Sequence, residues 1–130
     1  MDDTVLPVPA VIDTHTHVVS PDRSRFPLET PDFRAEWVRE SPVAVEGLLA
    51  ALDAGGVRGA VLVQPKGAYG FDNSYVAEAR TADPSRLASA AVIDLAAPDR
   101  EAVLRYWCGA RGLPGLRGFN IPPADPEWLS

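Results

Sequence analysis

The run Gly59-Ala60-Val61-Leu62-Val63-Gln64 decides the fold class of this 130-residue chain. It is apolar without the polar alternation of a half-exposed strand, which is typical of a strand buried on both faces of a sheet. Residues 87–93 repeat this pattern, and shorter apolar runs at 10–15 and 116–121 bring the predicted strands to four. Strands buried on both faces occur almost only in parallel sheets, so a parallel sheet is expected.

Helical patterns separate these strands. The first is predicted to follow Ser41 as its N-cap and to end at Gly56, and the next two follow predicted caps at Asn73 and Asp99. This alternation predicts an α/β fold with a parallel sheet of β/α units. Four strands are half of what a (β/α)8 barrel of about 250 residues needs, so half of such a barrel is one candidate architecture. An open doubly wound sheet competes with it, but the glycine-rich phosphate turn that often follows its first strand is not found here.

Composition excludes several classes of protein. The chain has 12 basic and 18 acidic residues, a net charge of −6 and no basic cluster, which argues against a nucleic-acid partner. No apolar run is long enough to span a membrane, and the N-terminus is acidic where a secretory signal is basic. Cys108 is the only cysteine, so no internal disulfide can form. These features predict a soluble, cytoplasmic protein.

The most informative spacing is Asp13-Thr14-His15-Thr16-His17, at the end of the first predicted strand. In a regular strand Asp13, His15 and His17 point to one face, and the two imidazoles can converge on one ion if the chain turns there. Asp13 is then placed to orient a histidine through a hydrogen bond. The pattern predicts a metal site on His15 and His17, against the alternative of two solvent-facing histidines.

These residues also carry a resemblance. The stretch 11–17 resembles the first-strand motif of the amidohydrolase superfamily. The stretches 59–65, 69–73, 84–86 and 115–118 are similar to the branch that contains 2-pyrone-4,6-dicarboxylate hydrolase and sugar-lactone hydrolases. The resemblance implies that residues 1–130 form the N-terminal half of a (β/α)8 barrel, a partial and truncated domain with its site at the carboxyl ends of the strands.

The resemblance also implies the chemistry of the histidines. In metal-dependent relatives the residues that match His15 and His17 bind a divalent ion, here one Zn or Mn, which activates water for attack. In metal-free relatives, these histidines and arginines hold an anionic substrate. The superfamily's remaining site residues lie on later strands with no counterpart in this chain. Residues 119–121 stand where some subgroups carry a metal-bridging lysine, so a two-metal site is not expected.

Three arginines are the predicted substrate-binding residues. Arg23 and Arg25 lie in the long connection over residues 18–41, which is expected to overhang the site, where a guanidinium can bind a carboxylate. Arg117 lies within a short apolar strand and must point to the site, to a partner or to solvent. Lys66, after the second strand, is interpreted as a surface or loop lysine.

Three functional hypotheses follow. The first is an amidohydrolase-type hydrolase, with His15 and His17 as catalytic residues, that cleaves a lactone, a cyclic ester or a related carboxylated small molecule. The second is a decarboxylase or hydratase on the same scaffold. The third is a non-catalytic half-barrel that associates with a second copy, because its sheet leaves two edges unpaired.

Overall fold

A computed structural model describes residues 9–29 and 36–121 of the protein. The four strands are β1 (Ile12–Thr16), β2 (Gly59–Val63), β3 (Leu87–Asp94) and β4 (Gly115–Phe119). The helices are α1 (Glu36–Glu40), α2 (Val45–Gly55), α3 (Lys66–Tyr69), α4 (Ser74–Ala79) and α5 (Arg100–Leu104). A 3₁₀ turn, Arg80–Ala82, extends α4, and a π-helical segment, Arg105–Ala110, extends α5.

The strands form one sheet in the order β1-β2-β3-β4, and every neighbouring pair is parallel. A parallel sheet whose strands follow chain order is the arrangement that successive β/α units build. The prediction of an α/β fold with four parallel strands is therefore confirmed. The observed strands lie within about two residues of the predicted boundaries.

One face of the sheet packs against the helices. Ala60 and Leu62 of β2 and Ala91 of β3 lie in the same apolar cluster as Leu52 of α2 and Val76 of α4. Leu62 and Ala91 are completely buried. Burial of this apolar face is the main source of stability in the described part of the chain.

The register between β1 and β2 shifts between Asp13 and Thr16. Asp13 pairs with Ala60, whereas Thr16 pairs with Leu62, so three steps along β1 match two along β2. An extra residue of this kind is a β-bulge, and it interrupts the alternation of side chains. Since ladder partners share a face, Asp13 lies on the face of Thr16. The prediction that Asp13 shares a face with His15 and His17 is therefore wrong.

The helix boundaries differ from the predicted ones for a physical reason. Helix α2 begins at Val45 with Ala44 as its N-cap residue, and Ser41 does not cap it. The chain before α2 is held extended, because the Val19 amide donates to the Val43 carbonyl at 2.9 Å. The predicted end is confirmed, since Gly56 adopts the left-handed conformation that glycine tolerates best.

Other expectations of the sequence are corrected too. The long connection after β1 contains a short helix, α1, that no periodicity indicated. Asn73 occupies the N-cap position of α4 without a capping hydrogen bond from its side chain. Of the two neighbouring aromatic residues after α5, Tyr106 is 47% exposed, whereas Trp107 is buried. No helix in the described ranges is long and apolar enough to cross a membrane.

Candidate functional site at the carboxyl ends of the strands

A cleft of about 370 Å³ lies where β1, β2 and β4 end. Carboxyl ends of parallel strands lie on one edge of a sheet, which is where α/β folds place their sites. The residues that line the cleft include His17, Trp37, Pro65, Lys66, Arg117 and Phe119. Trp37 belongs to α1, so part of the long connection after β1 does overhang this edge. None of the described lining residues is acidic.

The orientation of His17 is set by the neighbouring strand. Its Nδ1 lies 2.8 Å from the carbonyl oxygen of Val63, the last residue of β2. A ring nitrogen in hydrogen-bond contact with a carbonyl must carry the proton, so Nδ1 donates. In the neutral ring, Nε2 then presents a lone pair. This is the arrangement by which proteins prepare a histidine to bind a metal ion or to accept a proton.

His15 stands against His17 in an edge-to-face contact, with ring centroids 5.0 Å apart. Its side chain is exposed, as expected for a residue on the outermost strand. The Asp13 carboxylate accepts a hydrogen bond from the backbone N–H of His15 at 3.1 Å. Asp13 therefore contacts the backbone beside the histidine pair.

We tested whether these residues complete a metal site. Within residues 9–29 and 36–121, no group of three or more His, Cys, Asp or Glu side chains is placed to hold an ion. A catalytic zinc ion usually has three protein ligands, and the described part of the chain offers the two imidazoles alone. The donor set present is therefore incomplete for a divalent ion.

Two cations and an aromatic ring form part of the wall of the cleft that His17 also lines. Arg117 lies with its guanidinium carbon 4.9 Å from the centre of the Phe119 ring, and Lys66 Nζ lies 5.0 Å from the same point. Lys66 Nζ is also 5.2 Å from the centre of the Phe71 ring. Cation–π contacts at these distances hold a charged group without neutralising it.

Lys66 is the residue that sequence reasoning missed. The signal was present, because it is the only lysine in the chain and directly follows Pro65 at the carboxyl end of a buried strand. Its interpretation as a surface or loop lysine did not include the cleft, and the structure places it there.

The two arginines predicted from the long connection have partners elsewhere. Arg23 donates to the carbonyl oxygens of Ser20 at 2.9 Å and Val38 at 2.7 Å, which ties two parts of that connection together. Arg25 forms an ion pair with Glu78 of α4 at 2.9 Å and lines a different depression. The structure therefore brings Arg117 beside His17, but does not place Arg23 or Arg25 in the lining of this cleft.

Asp94, the last residue of β3, is a further polar residue at the carboxyl end of the sheet. Its carboxylate accepts hydrogen bonds from the Asn120 side chain and the Ala96 amide, both at 3.0 Å. The bond from Asn120 is the main reason that the pKa of Asp94 is lowered, and the charge of Lys66 contributes in the same direction. Asp94 is therefore ionised at neutral pH, with its carboxylate already bonded.

Comparisons with a family profile and with solved structures agree. The profile of the amidohydrolase family matches residues 12–129. A solved structure, a probable 2-pyrone-4,6-dicarboxylic acid hydrolase from Acinetobacter baumannii with citric acid bound, matches with a TM-score of 0.64 and 26% sequence identity. The match covers 93% of this chain and 43% of that one, so this chain spans less than half the length of the relative. A search of curated proteins found no significant match.

Proposed function

The chain belongs to the amidohydrolase family, and from this premise we propose that it provides the anion-binding half of a hydrolase for a carboxylated lactone or cyclic ester. The four parallel strands correspond to half of a (β/α)8 barrel, as the partial coverage of the solved hydrolase indicates. In such a barrel, the carboxyl ends of the strands surround the substrate.

The substrate class is inferred from the charge of the residues that line the cleft. The cleft is lined by Arg117 and Lys66 beside His17, and no described lining residue is acidic. In residues 9–29 and 36–121, neither Arg117 nor Lys66 takes part in an ion pair. Cations without a carboxylate partner favour an anionic ligand, and a guanidinium suits the two oxygens of a carboxylate. The citric acid bound to the similar hydrolase, a molecule with carboxylic acid groups, supports this choice.

The proposed chemistry assigns a role to each residue. Hydrolysis of a lactone adds water to the acyl carbon and breaks the bond between that carbon and the ring oxygen. Arg117 holds a carboxylate of the substrate. In the metal-free form of the proposal, His17 Nε2 accepts a proton from the attacking water, because Nδ1 is committed to the Val63 carbonyl, and returns it to the ring oxygen as that bond breaks. Trp37 adds an apolar surface to the lining of the cleft.

The test compares charged and uncharged substrates. A carboxylated δ-lactone should be hydrolysed faster than δ-valerolactone, which has no carboxylate, with proton release as the readout. Arg117→Gln should raise KM for the carboxylated lactone by roughly tenfold or more. Arg100→Gln, at an exposed arginine outside the cleft, is the matched control and should change nothing. Equal rates on the two lactones, or no turnover of either, would overturn the proposal.

Metal binding by the two histidines is a separate part of the proposal. His15 and His17 are the residues we propose to hold a single Zn or Mn ion in the intact protein, and the described residues do not complete that site. Metal content should be measured in the wild-type protein and in the His15→Ala, His17→Ala double variant. Bound metal that disappears in the variant supports ligation by these residues. Equal metal content, or none in either protein, contradicts it and leaves the metal-free form of the proposal.

A further inference from the structure

We infer that Gln64 is a positioning residue of the cleft, because its buried side chain holds residues 65–72, which we call the β2 loop, against the end of β2. The β2 loop supplies residues 65–68 to the lining of the cleft, whereas Gln64 itself does not line it. The inference rests on the proposed function, and it adds a residue outside the cleft that controls how well the site binds its ligand.

Gln64 is fixed through both its backbone and its side chain. Its amide donates to the Ala90 carbonyl at 3.0 Å, which extends the ladder between β2 and β3 by one residue beyond Val63. The side chain is completely buried. Its Nε2 donates to the carbonyl of Asp72 at 2.7 Å and to that of Gly70 at 3.2 Å. One side chain at the edge of the sheet therefore holds two points of the β2 loop.

These two bonds reach the part of the β2 loop that lines the cleft. The Gly70 amide donates to the Lys66 carbonyl at 2.7 Å, so holding Gly70 also holds the turn that begins at Lys66. Phe71 lies between the two residues whose carbonyls Gln64 bonds, and its ring centre is 5.2 Å from Lys66 Nζ. The position of Lys66 in the cleft therefore depends on Gln64 through Gly70 and Phe71.

The side chain of Gln64 also contains an unpaired oxygen. Within residues 9–29 and 36–121, its Oε1 is buried without a hydrogen-bond partner. A buried acceptor without a donor costs stability, which offsets part of what the two Nε2 bonds contribute. Gly70 is half-buried and Asp72 is exposed, so water can reach these two residues when the loop moves. We therefore expect loss of the Gln64 amide to change the position of the β2 loop more than the stability of the fold.

His17, the proposed base, is held by a different contact. Its Nδ1 bonds the carbonyl of Val63, which belongs to β2 and precedes Gln64. A shift of the β2 loop therefore moves residues that bind the ligand and leaves His17 in place. The inference predicts a rise in KM with little change in kcat, whereas a general loss of folded protein lowers the apparent kcat.

The first test is steady-state kinetics with the carboxylated δ-lactone. Gln64→Met replaces the amide by an apolar side chain of similar size, and should raise KM roughly tenfold while kcat stays within about twofold. Ser89→Ala is the matched control, because it also removes a completely buried donor, 2.8 Å from the Val76 carbonyl, at a residue that does not line the cleft. Ser89→Ala should lower the melting temperature and leave KM unchanged. The same KM in the wild-type protein and in Gln64→Met would overturn the inference.

A second test needs neither turnover nor a variant. Gln64 is the only glutamine in the chain, so its side-chain amide gives one assignable NMR signal. In the wild-type protein its two protons should exchange slowly with solvent, because the group is buried and bonded to two carbonyls. Exchange as fast as that of a glutamine in a short peptide would overturn the inference.

A third test follows Lys66 directly. Reductive ¹³C-methylation labels Lys66, the only lysine, and the N-terminal amine. The Lys66 signal carries a ring-current shift from Phe71, so it should move in Gln64→Met and stay in place in Ser89→Ala. A signal that does not move in Gln64→Met would overturn the inference while leaving the proposed function standing. A lack of lactone turnover in the wild-type protein would overturn the proposed function alone, and the two NMR measurements would still decide the role of Gln64.

Discussion

The centre of the sheet and its outer strands differ in composition and in role. Strand β3 is buried along most of its length, whereas β1 is largely exposed and β4 contains only half-buried and exposed residues. His15 lies on β1, His17 follows directly after that strand, and Arg117 lies on β4. Stability therefore lies in the central strands and the helices that cover them, and the proposed chemistry lies at the periphery. Substitutions in the two regions should separate these properties.

The largest effect is expected in the buried centre. Leu62→Ala removes a completely buried side chain of β2 and should lower the free energy of unfolding by about 2–5 kcal/mol. Leu116→Ala on β4 is the matched control, because that side chain is 47% exposed and its loss should cost under about 1 kcal/mol. Denaturant titration measures both. Equal losses would show that the outer strands support the fold as much as the central ones.

The next effect concerns buried hydrogen bonds. The Asn73 side chain is completely buried, accepts from the Val92 amide at 2.7 Å and donates to the Val92 carbonyl at 3.1 Å. Asn73→Ala leaves both backbone groups of β3 without these partners and should cost about 1–3 kcal/mol. Asn120→Gly removes an exposed amide at the end of β4, at a positive φ that glycine tolerates, and should cost much less. A comparable loss in thermal or denaturant unfolding for the two variants would contradict this difference.

Stability at alkaline pH should depend on two buried tyrosines, one bonded to the connection after β1 and the other to the start of α2. The Tyr69 hydroxyl accepts a hydrogen bond from the Ser20 amide and that of Tyr75 accepts one from the Val45 amide. Burial raises the pKa of both tyrosines, so the folded protein keeps the phenolic protons to a higher pH than the unfolded chain. Their contribution is complete below the ordinary tyrosine pKa of about 10, and is lost as the pH rises toward the folded values.

Melting temperature measured between pH 8 and 11.5 tests this prediction, with the pH values chosen to bracket about pH 10. The fall above pH 10 should be shallower in a Tyr69→Phe, Tyr75→Phe variant, whatever the variant's stability at neutral pH. The same slope in both proteins would show that these phenols do not control the alkaline transition.

The smallest effect is expected at the surface. Arg25 pairs with Glu78 and anchors the connection after β1 to α4, but both side chains are largely exposed, at 62% and 45%. Water and salt screen such a pair, so Arg25→Gln should lower the melting temperature only slightly. High salt should reduce the difference further. A large loss of stability, or a loss of turnover of the carboxylated lactone, would show that Arg25 has a role that its position does not indicate.

Sequence reasoning predicted the fold better than the site. The runs at 59–64 and 87–93 predicted the two central strands, because burial on both faces leaves an apolar pattern that can be read directly. The predicted start of the first long helix was wrong, because a backbone hydrogen bond between Val19 and Val43 keeps the residues before Val45 extended. No local pattern encodes a hydrogen bond between segments so far apart. The roles predicted for the site residues stay predictions: His15, His17, Asp13, Arg23, Arg25 and Arg117.

The sequence by itself determined the order of the β/α units and the position of His17 at the end of a strand. Both depend on local patterns of apolar residues, proline and glycine. The tertiary structure decided which side chains meet. It turned His17 Nδ1 toward Val63 and brought Lys66 and Arg117 to one aromatic ring. The physical reason is that parallel strands place their carboxyl ends on one edge, while register and bulges decide which side chains face each other there.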